Sequence, residues 1–351
     1  MTSSALKSAI LIFLVLAVTN AYGISNVSPD LQHKPHFVTQ SSSGQLTPLV
    51  SLPAGTIPVT LGIYALNVYE LDLKANSYYI SFYAWLRWKG DCDPVTALEF
   101  TNAVENWGLT TQLLTEYPDT LADGSLYQSL RINSRFYQNF DLARYPIDEQ
   151  ELSIIAESTD ERLGFVFIPD TTASGFGQDV RLPGWKIDGL NADTYVHHYG
   201  SDFGEVGNKS ASDYSMVKFS FDLHRPFSFF LWKILFPMII VMMTGWIALL
   251  LSPTRIEART ALPSAALLSM IFLRDGAMQA LPENSTLLLL DKLYVLSYVF
   301  IVITLIHVMW VNMKIKVEVP ESVSRMEKID GTSVKLQIAG FVIGLVLLLW
   351  L

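Results

Sequence analysis

Seven residues at helical spacing carry the most distinctive chemistry of this chain: Glu257, Ala261, Ala265, Leu268, Phe272, Asp275 and Gln279. They recur three or four positions apart, so they share one face of a helix, with Gly276 beside Asp275. The run 257–282 around them is long and apolar enough for a membrane-crossing helix. A carboxylate stands at one end, small residues follow, two large apolar groups occupy the middle, and polar groups return. Charges at membrane depth are costly and turn toward a bundle interior or water. A stripe wet at both ends and dry in the middle suits an aqueous path closed by a hydrophobic constriction. Other readings stand beside this one. Glu257 is alternatively the partner of Arg255 or Arg259 at a helix end, and Leu268 and Phe272 are alternatively ordinary packing. Asp275 is either a second acidic group on the path or a partner for the adjacent Arg274. Pro263 removes one backbone hydrogen bond from the helix.

The elements that must position this stripe follow from composition. The chain has 351 residues, is 50% hydrophobic and has a mean hydropathy of +0.32. That is too apolar for an ordinary soluble domain and too charged for a wholly embedded one. Charge is divided unevenly: residues 24–225 hold 25 Asp and Glu against 13 Lys and Arg. An acidic domain disfavours nucleic acid and favours cations. Residues 1–23 read as a signal peptide, with Lys7 ahead of a short apolar run and small residues at Ala21 and Gly23. Cys92 is the one cysteine, so no intrachain disulfide can form.

Between about residues 56 and 222 the chain reads as short strands, among them 78–88, 126–136, 151–156 and 216–222, separated by Gly, Pro and Asp breakers. This pattern predicts a mainly β, immunoglobulin-like sandwich over residues 24–225. Four apolar segments follow in 226–351, near 227–251, 257–280, 287–313 and 333–351, each long enough to span. Lys314, Lys316, Arg325 and Lys328 lie between the third and fourth. They place that segment in the cytoplasm and the sandwich outside, by the positive-inside rule.

An exported β-sandwich followed by four helices, the second pore-like, resembles the pentameric ligand-gated ion channels, the Cys-loop receptor family. Arg144-Tyr145-Pro146-Ile147-Asp148-Glu149-Gln150 is similar to the signature loop at the sandwich base. Trp88 matches the family's core tryptophan, and Leu182-Pro183-Gly184-Trp185 a strand start. Arg225, twelve residues before Pro237, is similar to the pre-membrane arginine and first-helix proline. Leu267-Leu268-Ser269 and Leu281-Pro282 match the gate region and the end of the pore helix. The chain departs from the pattern in three places. Gln138 and Leu152 occupy the positions of the loop cysteines. Helices three and four are joined by about twenty residues. Ala75 stands where relatives often carry an acid facing the arginine, leaving Asp72 as a substitute if it points that way. The first two departures resemble the bacterial branch.

The resemblance implies a homopentamer with four identical partner subunits in a bacterial inner membrane, the N-terminal domain facing the outside or periplasm. Permeant inorganic cations would pass a ring of five Glu257 carboxylates, and Leu268 and Phe272 would form the gate. A small-molecule agonist, such as a cationic amine, would bind between adjacent outer domains. Tyr83, Phe100, Asn102, Tyr195, Tyr199, Phe203 and Tyr214 match the contributing positions, and aromatic faces suit an ammonium group. Each aromatic reads equally as sandwich core or surface, and Glu157-Ser158-Thr159-Asp160 supplies no aromatic to the second loop. Asp148, Arg225, Leu281 and Pro282 would couple sandwich to pore. Catalytic constellations, nucleotide loops, cofactor motifs and metal clusters are absent from the sequence, so an enzyme is not expected. A non-conducting membrane-anchored sensor on the same scaffold is the alternative.

Overall fold

A computed structural model describes residues 45–49, 51–53, 55–104, 110–160, 163–178, 180–200, 213–283 and 287–350. The expected leader at 1–23 lies outside them. Twelve described strands build two sheets: β1 Gln45–Pro48, β2 Ile57–Asp72, β3 Ser77–Trp88, β4 Leu98–Phe100, β5 Thr110–Leu113, β6 Asp119–Thr120, β7 Leu126–Tyr137, β8 Glu149–Ser158, β9 Phe165–Pro169, β10 Gly175–Phe176, β11 Lys186–His198 and β12 Asp213–His224. One sheet runs β1-β11-β12-β8-β4 and the other β10-β2-β3-β7-β5, with β6 on β7 and β9 on β2. Alternation explains the layering. Ile80, Phe82, Ala84 and Leu86 of β3 point inward and are fully buried, and Ile154 and Ala156 of β8 meet them from the other sheet. Phe82, Phe100 and Phe136 pack with centroids 5.7–6.1 Å apart, within the range of favourable ring contacts. The Tyr78 hydroxyl crosses between the sheets and donates to the Ser153 carbonyl at 2.8 Å.

Four helices long and apolar enough to cross a membrane follow: α1 Phe227–Ile247, α2 Ile256–Met278, α3 Leu289–Lys314 and α4 Pro320–Trp350. α1 contains a π-helical turn at Phe230–Leu235, immediately before Pro237. Gly340 and Gly344 let α4 approach α3: a Cβ at Gly344 would stand 2.9 Å from Leu296, and one at Gly340 3.1 Å from Phe300. The fourth helix corrects the expectation of a start near residue 333. It begins at Pro320, a residue preorganised for a helix's first turn. Its charged opening turns read as linker because hydropathy does not register that Asp330 and Gln337 are buried beside polar partners on other helices.

Candidate pore, junction and ligand pocket

α2 has two unlike faces. Arg259, Pro263, Ala266 and Met270 are buried against the other helices. All seven stripe residues, Glu257, Ala261, Ala265, Leu268, Phe272, Asp275 and Gln279, are exposed in the protomer. Leu268 and Phe272 keep 55% and 66% of their surface open, as Trp232 at 62% on α1 and Leu336 at 68% on α4 also do, so the stripe is a face the protomer leaves uncovered. The helix-end pairing of Glu257 with Arg259 does not form. Arg259 instead turns into the bundle, where its Nη2 meets Asp330 Oδ2 at 2.8 Å and its Nε donates to the Ala248 carbonyl at 3.0 Å. Asp330 Oδ1 also meets His307 Nε2 at 2.8 Å. Gln337 joins the same interior through Thr304 and Trp246. At the outer end Arg274 pairs with Asp291 at 2.8 Å and lies 4.0 Å from Asp275.

At the sandwich base, the structure brings Asp148 and Arg225 together. Arg225 Nε donates to Asp148 Oδ1 at 2.8 Å, and the side chains are 7% and 1% exposed. Gln150 Nε2 holds the other carboxylate oxygen at 2.8 Å. The guanidinium lies 4.0 Å over the Trp185 ring, with Tyr145 and Phe229 at 5.0 and 5.1 Å, so aromatic faces surround it, while its buried Nη2 has no hydrogen-bond partner among the described residues. Asp72 does not fill the place of the absent acid: its Oδ1 accepts from the Lys74 and Ala75 amides of its own turn. No second acid therefore reaches Arg225 among the described residues.

The signature loop is closed without a disulfide. Gln138 Oε1 accepts from the Ser153 amide at 3.0 Å and the Ser153 hydroxyl at 2.8 Å. The loop then meets the membrane helices directly: the amides of Leu289 and Leu290, opening α3, donate to the carbonyls of Ala143 and Tyr145 at 3.0 and 3.1 Å. These amides are helix-terminal donors that the helix itself cannot satisfy. Leu281 is buried just past the end of α2, with Pro282 partly exposed. A cavity of about 600 Å³ brings the turn after β2, Arg225 and Gln279 together.

The expected ligand residues divide. Phe100 is 7% exposed within the aromatic core, and Asn102 braces β8, donating to the Ser153 carbonyl and accepting from the Ile155 amide. Both positions are structural in the protomer. Tyr83 lies on β3, in the opposite sheet from Tyr195 on β11 and Tyr214 on β12. Phe203 lies outside the described residues. Tyr199 and Tyr214 line a cavity of about 400 Å³ with Glu99, Thr101, Glu157, Ser158 and Thr159. Their rings meet edge to face at 5.3 Å. The Tyr199 hydroxyl donates to Glu157 Oε1 at 2.9 Å, and His197 Nδ1 meets Oε2 at 2.7 Å. Burial, reinforced by that bond, pushes the Tyr199 phenol well above its ordinary value, so it remains a donor. Sequence reasoning passed over Glu157 because it looked for aromatics. Strand pairing, which the sequence does not display, sets Glu99 directly opposite Glu157. Two carboxylates directly opposite on paired strands cost stability.

A two-sheet outer domain precedes four membrane-length helices, with a polar-ended exposed stripe on the second, which is the fold the resemblance implies. The chain is similar in sequence to receptor subunits and to an ion channel. It is 23% identical over 295 residues to the gamma-aminobutyric acid receptor subunit beta of Lymnaea stagnalis, covering 74% of this chain and 56% of that one. It is 24% identical over 214 residues to the human gamma-aminobutyric acid receptor subunit rho-1, covering 60% and 43%. It is 25% identical over 273 residues to the proton-gated ion channel of Gloeobacter violaceus, covering 72% of each. The chain thus spans about half the length of the receptor subunits it matches. These relatives are receptor subunits and a channel, not enzymes. No family model matches the chain.

Proposed function

We propose that this chain is the subunit of a homopentameric, cation-selective, ligand-gated channel. The observation that carries the reading is the exposed stripe of α2, since five such faces around an axis would line a path with acidic ends and a dry middle. Glu257 forms the inner ring, Asp275 and Gln279 the outer mouth, and Ala261 and Ala265 the narrow wet section. Leu268 and Phe272 close the middle, where an ion would shed water with no ligand to replace it.

The agonist is a small cationic amine bound at the Tyr199–Tyr214 cavity. Glu157 and Glu99 supply countercharge, and Tyr83 of an adjacent subunit faces it across the interface, as the opposite-sheet placement allows. Binding shifts the closed–open balance by its differential affinity for the two states. The signal passes through β8 and β12 to Asp148 and Arg225, and from the loop at residues 143–145 to the start of α3 and the turn at Leu281 and Pro282. Sodium uptake by proteoliposomes carrying the reconstituted protein, with propylamine as the probe, tests this. Amine-dependent uptake is expected. Assembled protein that binds propylamine without flux would instead be a sensor.

A further inference from the structure

Each end of the pore helix carries an arginine close in sequence to a stripe acid, and neither arginine lies on the stripe. Arg259 is two residues from Glu257 and is 1% exposed, held by Asp330 of α4 at 2.8 Å. Arg274 is next to Asp275 and reaches Asp291 at the start of α3, also at 2.8 Å. Both capturing carboxylates are themselves fixed. The second oxygen of Asp330 meets His307 Nε2 at 2.8 Å, and Asp291 Oδ2 accepts from the Leu288 amide at 3.3 Å. The stripe acids are held weakly or not at all: Glu257 makes no ion pair among the described residues, and Asp275, 62% exposed, keeps only a 4.0 Å contact with Arg274 against the 2.8 Å that Asp291 makes. We infer that Asp330 and Asp291, two carboxylates outside the conduction path, set ion selectivity by drawing Arg259 and Arg274 off the pore face.

The inference rests on the channel reading and deepens it. An acidic ring attracts cations only while no matching cation stands beside it. Arg274 is 41% exposed and already 4.0 Å from Asp275. Without Asp291 its guanidinium is free to close on Asp275 and cancel the outer ring. Arg259 is a buried cation whose isolation would be strongly unfavourable. Without Asp330 its long side chain is driven toward the nearest water, the inner mouth where Glu257 stands. Thus a helix remote from the path decides the charge inside it.

The test uses the full chain in a Leu268→Ser background, which the gate reading expects to conduct without agonist, and measures the sodium-to-chloride permeability ratio in a salt gradient. Asp291→Asn and Asp330→Asn should each lower that ratio several-fold. The paired neutral variants Arg274→Gln/Asp291→Asn and Arg259→Gln/Asp330→Asn should return it to the background value, which a merely structural role would not do. Unchanged ratios in the single variants, or paired variants as impaired as the singles, overturn the inference. Where Asp330→Asn does not assemble, the partly exposed Asp291 pair decides. A background that assembles yet passes no current refutes the channel reading rather than this one.

Discussion

Replacing Asp148 by Asn should uncouple the outer domain from the pore. The side chains of Asp148 and Arg225 are 1% and 7% exposed, their contact is 2.8 Å, and no other acid reaches Arg225 among the described residues. Leaving one charge of such a pair uncompensated costs about 3–5 kcal/mol. The rings of Trp185, Tyr145 and Phe229 face Arg225 before and after the change and so offset nothing, but an asparagine oxygen can still accept from Arg225 Nε, which puts the expected loss at the low end, about 3 kcal/mol. About 1.4 kcal/mol is a factor of ten in an equilibrium constant, so a loss of that size borne wholly by the closed–open balance would move it roughly a hundredfold. Arg225→Gln removes the same contact from the other side. The assay is a double-mutant cycle on the probe concentration for half-maximal propylamine current, with surface expression measured alongside. The double variant should be little worse than the worse single, with a coupling of about 0.5–3 kcal/mol. Strictly additive effects would refute the claim that these two residues act as one junction.

Other perturbations probe the remaining sites. Glu257→Gln should lower cation preference and conductance without loss of assembly, seen as a shifted reversal potential in diluted salt. Leu268→Ser should wet the constriction and give leak current or heightened agonist sensitivity under voltage clamp, whereas Leu268→Phe should not open the channel. Glu157→Gln should weaken propylamine binding by about 1.5–3 kcal/mol, the worth of a charged hydrogen bond, read by titration of the purified protein. Gln138→Ala should lower thermal stability by about 1–3 kcal/mol, because the Ser153 amide and hydroxyl lose their acceptor.

The architecture was legible wherever one period ran unbroken. Alternation in β3 and β7 and the 3.6-residue stripe of α2 both depend on neighbours in sequence, and both read directly. The pairing of Arg225 with Asp148 was legible only through the resemblance, since 77 residues separate them. Three features were not legible because they depend on partners distant in sequence. The first 13 residues of α4 look like a charged linker until Asp330 is seen paired with Arg259. Phe100 looks like a ligand contact until Phe82 and Phe136 are packed on it. Glu157 reads only as part of a loop without an aromatic until the sheet order β11-β12-β8 brings His197 and Tyr199 to its oxygens.

The central claim is that the stripe of α2 borders water-filled space through which ions pass. Cys92 is the one native cysteine, so a Cys92→Ser chain is a clean background for single cysteines at Ala265, Leu268 and Phe272 on the stripe and at Ala266 and Met270 on the buried face. Current through reconstituted protein is recorded before and after a charged, thiol-reactive methanethiosulfonate reagent. The account predicts that the reagent changes the current at all three stripe positions and leaves it unchanged at the two buried ones. Modification of Ala266→Cys and Met270→Cys with no effect at the stripe would contradict it.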